Sequence, residues 1–477
     1  MMRRPDAPHF TARPLALAAL TLALLSGCAL GPDYVRPAAQ LGLPEAYTAA
    51  GPLAAAPTVA ANWWSLFGDA QLDGLVAQAL ASSPDARIAA LRIEEADALL
   101  RQVDAALLPQ INAEASGSRN RISQTNATPI PSTAPITRSS ARLALSTSFE
   151  LDVWGKLRRA SEGARAQALG TRYAADTVSL SLAAAVTQAY LNLRAIDAQL
   201  LAVDDSLSSQ SRSTQLTRTR FEGGIASQLD VQQAEGALAT YTAARIELDR
   251  ARSLSENLLG LLVGQPGLKI AAGDLRTLPV PPVPPAGLPS ALLETRPDVK
   301  KAETDLIAAN ARIGVAKAAL FPSITLTGNF GRESKDLSQL FSAPSAVWSF
   351  GAGLTQPIFE GGRLRAQVDQ VTAQQQQSVE TYRKTVQGAF REVNDALVSV
   401  SRNADAEDAY TRAMNAAKRA LQLAQARYDA GYSPYLEVLT AQRTANDATV
   451  AWIQNRQARL TATVDLFKAL GGGWKGA

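Results

Sequence analysis

Histidine and cysteine are almost missing from this 477-residue chain: His9 and Cys28 are its only ones, and both lie near the start. The rest therefore offers no imidazole and no thiol, which excludes His- and Cys-based catalytic dyads, disulfides and most zinc sites. No titratable constellation for an enzyme stands out in what remains. Methionine is scarce too, with Met414 the only one beyond the chain start. Neither sign of charge dominates, since 47 Lys and Arg stand against 43 Asp and Glu for a formal +4. That is no nucleic-acid footprint, and no nucleic-acid partner is expected. Proline is absent between Pro135 and Pro266, and again between Pro357 and Pro434.

What is present begins with Arg3, Arg4 and Arg13 ahead of an apolar run from Leu15 to Leu25. The run is too short to span a bilayer and has the length of a signal-peptide core, so residues 1–27 are expected to be cleaved. Their loss removes three Arg and one Asp and lowers the formal charge to +2. Leu25-Ser26-Gly27-Cys28 resembles the bacterial lipobox, in which the cysteine becomes an N-acyl diacylglycerol anchor; the alternative is an inert cysteine. Two or three acyl chains anchor stably where one is marginal. By likeness to lipoprotein sorting signals, Ala29 in place of an aspartate directs the product to the outer membrane.

The proline-free windows are rich in Ala, Gln, Leu, Arg and Glu, all good helix formers. Helices are expected at 76–107, 157–221, 227–263, 290–320, 363–430 and 434–469. The small residues Ala183-Ala184-Ala185, Ala416-Ala417 and Ala424-x-Ala426 permit close helix approach. A plain soluble coiled coil would share these features. Much of the pattern occurs twice. Arg220-Phe221-Glu222-Gly223-Gly224 and Leu229-Asp230-Val231 return as Arg427-Tyr428-Asp429-Ala430-Gly431 and Leu436-Glu437-Val438, offset by 207 residues. Pro84-Asp85 and Pro109-x-Ile111 return at an offset of 213 as Pro297-Asp298 and Pro322-x-Ile324. Such an internal duplication implies pseudo-symmetric construction.

Strands are expected at about 110–122, 140–153, 322–332 and 346–357. Ile324, Leu326, Gly328 and Phe330 alternate with Ser323, Thr325, Thr327 and Asn329, and Leu143 to Leu151 alternates likewise. A period of two over about ten residues, apolar on one side and polar on the other, marks transmembrane barrel strands. Residues 123–139 and 333–345 read as exposed loops. Four strands cannot close a membrane barrel, and an open edge in lipid leaves backbone groups unsatisfied. The chain is therefore expected to oligomerise: two copies give a filled bore, three a pore, and three are favoured.

The segments Cys28-Ala29-Leu30-Gly31-Pro32-Asp33-Tyr34-Val35-Arg36-Pro37, Trp63-Trp64-x-x-Phe67-x-Asp69, Glu150-Leu151-Asp152-Val153-Trp154-Gly155, Arg296-Pro297-Asp298, Phe321-Pro322-Ser323-Ile324 and Leu470-Gly471-Gly472-Gly473-Trp474 run in order along the chain. Together they resemble the TolC-like outer-membrane efflux lipoproteins of the OprM and NodT type. The resemblance implies a mainly α fold with transmembrane β: a periplasmic α-helical coiled barrel, a 12-stranded trimeric β-barrel with four strands per chain, and a mixed equatorial domain. Its parts would be the signal peptide (1–27), anchor and equatorial strap (28–75), repeat one (76–264), equatorial linker (265–289), repeat two (290–470) and tail (471–477). Trp63 and Trp64 read as belt core anchors or as ligand-stacking residues.

The resemblance further implies a passive, non-enzymatic homotrimeric channel among outer-membrane lipids. It would serve a periplasmic membrane-fusion adaptor and an inner-membrane pump of the resistance-nodulation-division (RND) class in multidrug efflux. Type I protein secretion and metal efflux are the alternatives within the family, and a periplasmic adaptor or structural coiled-coil lipoprotein is the alternative outside it. Gly223, Gly224, Gly431 and Ser433 would form periplasmic tips that meet the adaptor. Leu229, Asp230, Leu436 and Glu437 match hydrophobic and acidic constriction positions, and Arg220, Arg427 and Tyr428 match inter-helix ties. Thr440 and Ser433 depart from relatives that carry an acidic and a basic residue there, so the acidic ring is weaker or displaced. Asp230 and Glu437 also read as plain helix-start carboxylates favoured by the dipole.

Overall fold

A computed structural model describes residues 29–37, 44, 47, 59–123, 125, 135–284 and 292–474. The expected signal peptide, Cys28, most of the strap up to residue 58, loop residues 126–134, linker residues 285–291 and tail residues 475–477 lie outside the described residues. Eight helices are described: α1 (Ala70–Ser82), α2 (Pro84–Asp104), α3 (Lys156–Glu222), α4 (Gln228–Leu262), α5 (Leu292–Thr295), α6 (Pro297–Ala318), α7 (Arg363–Asp429) and α8 (Tyr435–Ala469). Four strands accompany them: β1 (Gln110–Arg121), β2 (Thr137–Leu151), β3 (Ser323–Ser334) and β4 (Ala346–Thr355). The helices α3 and α7 have 67 residues each, so each is about 100 Å long at 1.5 Å per residue.

Two expected helices are each broken. In place of 76–107, α1 starts earlier, where the Asp69 carboxylate accepts the backbone N–H of Gln71 and Leu72, and it stops at Ser83, which is extended at ψ 146°. The ring of Pro84 forces that conformation on its predecessor. The same thing happens at Arg296-Pro297, so 290–320 becomes α5 and α6. The last helix begins at Tyr435, with Pro434 as an extended N-cap and not as a first-turn residue.

The chain divides into two compact units. One comprises residues 29–36, Glu94–Leu169 and Glu303–Glu380. Its sheet runs β1-β2-β3-β4, antiparallel throughout, with one hairpin from each repeat. The register places Leu145 opposite Phe330 and Phe330 opposite Trp348, so these side chains share a face. Phe330, Trp348 and Phe350 there are 68%, 78% and 74% exposed. Serine, threonine and asparagine line the other face together with charged residues such as Glu114, Arg142 and Glu333. Among the described residues only β2 and β3 are paired on both sides, and β1 and β4 are open edges. Between β2 and β3 the backbones approach so closely that a Cβ on Gly331 would lie 2.4 Å from the Leu143 carbonyl oxygen. Gly331→Val is therefore expected to unpair the two repeats' hairpins, read as loss of the heat-resistant folded form on cold gels; an unchanged form would contradict this register.

The segment 333–345, expected as an exposed loop, is partly ordered against the sheet. Leu340 and Ser345 are buried, and the Arg332 guanidinium donates to the Ser342 carbonyl at 2.7 Å. At the chain start, Leu30 N–H donates to the Trp154 carbonyl and Asn310 to the Pro32 carbonyl. Arg159 pairs with Asp33 at 2.6 Å, and Arg36 with Glu303 at 2.5 Å. Residues 29–36 are thus fixed to the start of α3 and the middle of α6.

The described residues of the second unit are 37, 44, 47, 59–93, 170–284, 292–302 and 381–474. Trp63 is fully buried, stacks on Phe467 at 5.4 Å and meets Trp64 edge-on at 5.7 Å. Both tryptophans therefore anchor the core. Of the small residues expected to allow close helix approach, Ala183, Ala184, Ala417 and Ala424 are buried, Ala185 is half-buried, and Ala416 and Ala426 are exposed. The chain leaves α8 through Gly471, at φ +91°, where a Cβ would lie 2.0 Å from the Thr295 carbonyl oxygen.

Candidate functional site

The two helix reversals of the second unit fold alike. Ile225 N–H donates to the Arg220 carbonyl at 2.8 Å, and Tyr432 N–H donates to the Arg427 carbonyl at 2.8 Å. Gly224 and Gly431 turn with φ of +73° and +78°, which only glycine adopts cheaply. The repeats then diverge at the next cap. Ser227 starts α4 with a capping box: its hydroxyl accepts Asp230 N–H, and the Asp230 carboxylate accepts both Ser227 N–H and its hydroxyl. The equivalent residue in the second repeat is Pro434, which can neither cap by side chain nor offer an N–H. Glu437 is thereby freed, and it pairs with Arg427 at 3.5 Å in an exposed contact.

A tie links the two hairpins. The Arg220 guanidinium lies 4.5 Å from the centre of the Tyr428 ring and donates to the carbonyls of Tyr428 and Asp429 at 3.3 and 3.4 Å. Those carbonyls end α7, where the helix dipole is negative and the acceptors lack intrahelical partners. Tyr428 is buried, with its hydroxyl 3.2 Å from that of Thr217. Tyr435 packs against it at 5.6 Å and accepts a hydrogen bond from Gln210, which also donates to the Ala234 carbonyl. Around them Ala234, Ala237, Ala424, Val438 and Leu439 close an apolar cluster.

Of the ties expected from sequence, Arg220 and Tyr428 come together, whereas Arg427 turns to Glu437 within its own hairpin. Leu229 and Leu436 are 65% and 54% exposed and fill no pocket of this chain. The Thr440 hydroxyl donates to the Leu436 carbonyl of its own helix. Gly223, Gly224 and Gly431 are exposed, and Ser433 is half-buried. Among the described residues, no group of three or more His, Cys, Asp or Glu could hold a metal ion.

Helices of this length, paired by a duplicated reversal, beside a four-stranded sheet with one apolar face, agree with the comparisons. A sequence model described as "Outer membrane efflux protein" matches residues 75–265 and 288–472. The chain belongs to the outer membrane efflux protein family. It is 36% identical over 454 residues to the cation efflux system protein CusC of Escherichia coli O6:H1, covering 94% of this chain and 97% of that one. It is 37% identical over 477 residues to the probable efflux pump outer membrane protein TtgC of Pseudomonas putida, covering 96% and 95%. Among solved structures, the open-state MtrE outer membrane channel of Neisseria gonorrhoeae superposes with a TM-score of 0.84 at 31% identity, covering 94% of this chain and 99% of that one. The chain is accordingly a TolC-like outer-membrane channel protein that extends into the periplasm.

Sequence reasoning missed Gln210, Thr217 and Tyr435 as members of the tie. Their signal was present as a polar stripe, since Gln210, Thr214 and Thr217 fall at i, i+4 and i+7 on one face of α3. A buried polar stripe needs partners, and Tyr428 and Tyr435 supply them.

Proposed function

We propose that three copies of this chain form the passive exit duct of a tripartite efflux pump, joined to a periplasmic adaptor and an inner-membrane RND transporter. The observation that carries this reading is the open four-stranded sheet, apolar and exposed on one face, polar on the other, with both edges unpaired. In lipid each open edge leaves backbone groups unsatisfied at several kcal/mol apiece, and pairing β1 of one copy with β4 of the next removes both edges. Twelve strands then enclose a bore lined by the polar face. Cys28 carries the N-acyl diacylglycerol that adds a second hold on the membrane.

The reversals are the periplasmic gate and the adaptor-binding tips. Exposed Phe221, Ile225 and Tyr432 around Gly223, Gly224, Gly431 and Ser433 give the adaptor an apolar footing. With Asp230 folded onto its own cap and Glu437 paired with Arg427, rings of Leu229 and Leu436 form the narrowest level and close it by dewetting. Thr440, without a charge, adds nothing to the acidic ring. Relatives are described as cation efflux, antibiotic efflux and toluene efflux proteins, so cargo is chosen by the pump and multidrug export is the reading adopted for the duct.

Light scattering of the detergent-extracted protein should give three times the mass of the mature chain. Mass spectrometry should find Cys28 acylated, and Cys28→Ser should lower delivery to the outer membrane. A folded, membrane-inserted monomer would overturn the duct.

A further inference from the structure

All charge on the apolar face of the sheet is positive and sits at one end. In the register, that face carries Ile111, Ala113, Ala115 and Gly117 of β1, then Arg119 and Arg121, opposite Ser139 and Thr137 of β2. On β3 it carries Ile324 to Phe330 and then Arg332. The acidic strand residues Glu114, Glu150 and Glu333 all lie on the opposite face, with Glu114 accepting from Ser146 and Glu333 3.9 Å from Arg142. Arg332 is engaged by the Ser342 carbonyl and the Ser345 hydroxyl. Arg119 and Arg121 are exposed, and among the described residues no hydrogen bond or ion pair engages either. They lie beyond the level of Phe330 and Trp348 toward the β1–β2 loop.

We propose that Arg119 and Arg121 bind the phosphate of an outer-leaflet glycolipid, a deepening that rests on the reading that the apolar face meets lipid. On β1 that face runs from Ile111 through Ala113, level with Phe330 and Trp348, to Gly117, an apolar stretch about 20 Å long that ends where Arg119 and Arg121 begin, at headgroup depth. Two arginines two apart on one strand face are about 7 Å from each other. That spacing lets two planar guanidinium forks grip one phosphorylated sugar headgroup bidentately. A face without acids offers no competing counter-ion, and the Ser139 and Thr137 hydroxyls opposite add uncharged donors. The arginines on the polar face, Arg138 and Arg142, point away from lipid and serve as controls.

The test is native mass spectrometry of the detergent-extracted oligomer, titrated with diphosphorylated lipid A and with its dephosphorylated form. The wild type should prefer the phosphorylated form. Arg119→Gln and Arg121→Gln should each weaken that binding about fivefold, as expected for one cation at an anionic headgroup layer, while Arg138→Gln changes nothing. An unchanged affinity in the double variant, an equal loss in Arg138→Gln, or displacement of the lipid by inorganic phosphate alone would each overturn the site. Quenching of Trp348 fluorescence by brominated phospholipid, taken as the difference from Trp348→Phe, separates this failure from failure of the membrane reading. Quenching without phosphate discrimination sinks only the phosphate site, whereas absent quenching removes the lipid-facing assignment itself.

Discussion

Replacing Asp197 by alanine is expected to cost about 3–5 kcal/mol of unfolding free energy, the range for breaking a buried ion pair from one side. The Asp197 side chain is 2% exposed and accepts from Arg194 at 2.7 Å, Arg252 at 2.8 Å and the Gly273 N–H at 2.9 Å. Its loss leaves the buried Arg194 guanidinium without its counter-charge and leaves Arg252 with Glu256 alone. Arg194 also donates to Gln71 and to the Ala271 carbonyl, and Arg252 to the Ile270 carbonyl, so the network fixes the start of the linker to α3 and α4. Glu256 belongs to it: burial opposes its ionisation, but hydrogen bonds from Lys269, the Ile270 N–H and Arg252 outweigh that and hold its carboxyl below the usual range. Its contribution is present above the ordinary carboxylate range and is lost as pH falls through the lowered value. Thermal unfolding followed by helical circular dichroism measures the Asp197→Ala effect. The exposed pair Glu247 and Arg250 provides the comparison, since Glu247→Ala should cost under about 1 kcal/mol. Equal losses at the two sites would show that the buried network does not hold this unit.

Combining Arg220→Ala with Tyr428→Phe should loosen the proposed gate and sensitise cells to large antibiotics that the outer membrane excludes. The pair removes one cation–π contact, two charged hydrogen bonds to the end of α7 and the hydroxyl contact with Thr217. Together these are worth on the order of 2–4 kcal/mol per chain, repeated in every copy of the proposed trimer. Arg427→Ala should do far less, because its partner Glu437 is exposed and 3.5 Å away. Susceptibility assays on cells with equal amounts of assembled channel decide the matter. Sensitisation by Arg427→Ala as great as by the double variant would move the tie to the second reversal.

Much of the fold was legible because its signals are local and periodic. Strand alternation placed β1 and β4 within a few residues, and the proline-free windows gave α3 and α7 nearly to their ends. The breaks at Ser83 and Arg296 were also local, since each precedes a proline, but the helical pattern continues across both and hid them. The proposed gate was legible only in part. Ser227-x-x-Asp230 is a capping-box spacing, and a carboxylate there reads equally as a pore charge until the cap geometry is seen. Arg220 and Arg427 occupy equivalent positions, yet only the first reaches across to the other hairpin. The repeat marks the cap difference, Ser227 against Pro434, but not the reach of Arg220, which arises from contacts more than 200 residues apart in sequence. The Asp197 network was hidden because its other contacts join residues 55 to 123 positions apart, although Arg194 and Asp197, and Arg252 and Glu256, stand at helical pairing distances.

Single-channel recording in planar bilayers tests the duct most directly. Purified oligomers of the wild type should insert and give discrete conductance steps, and the Arg220→Ala, Tyr428→Phe variant should give larger ones with the same number of chains per step. Inserted, folded oligomers of both proteins that conduct no ions would contradict a channel.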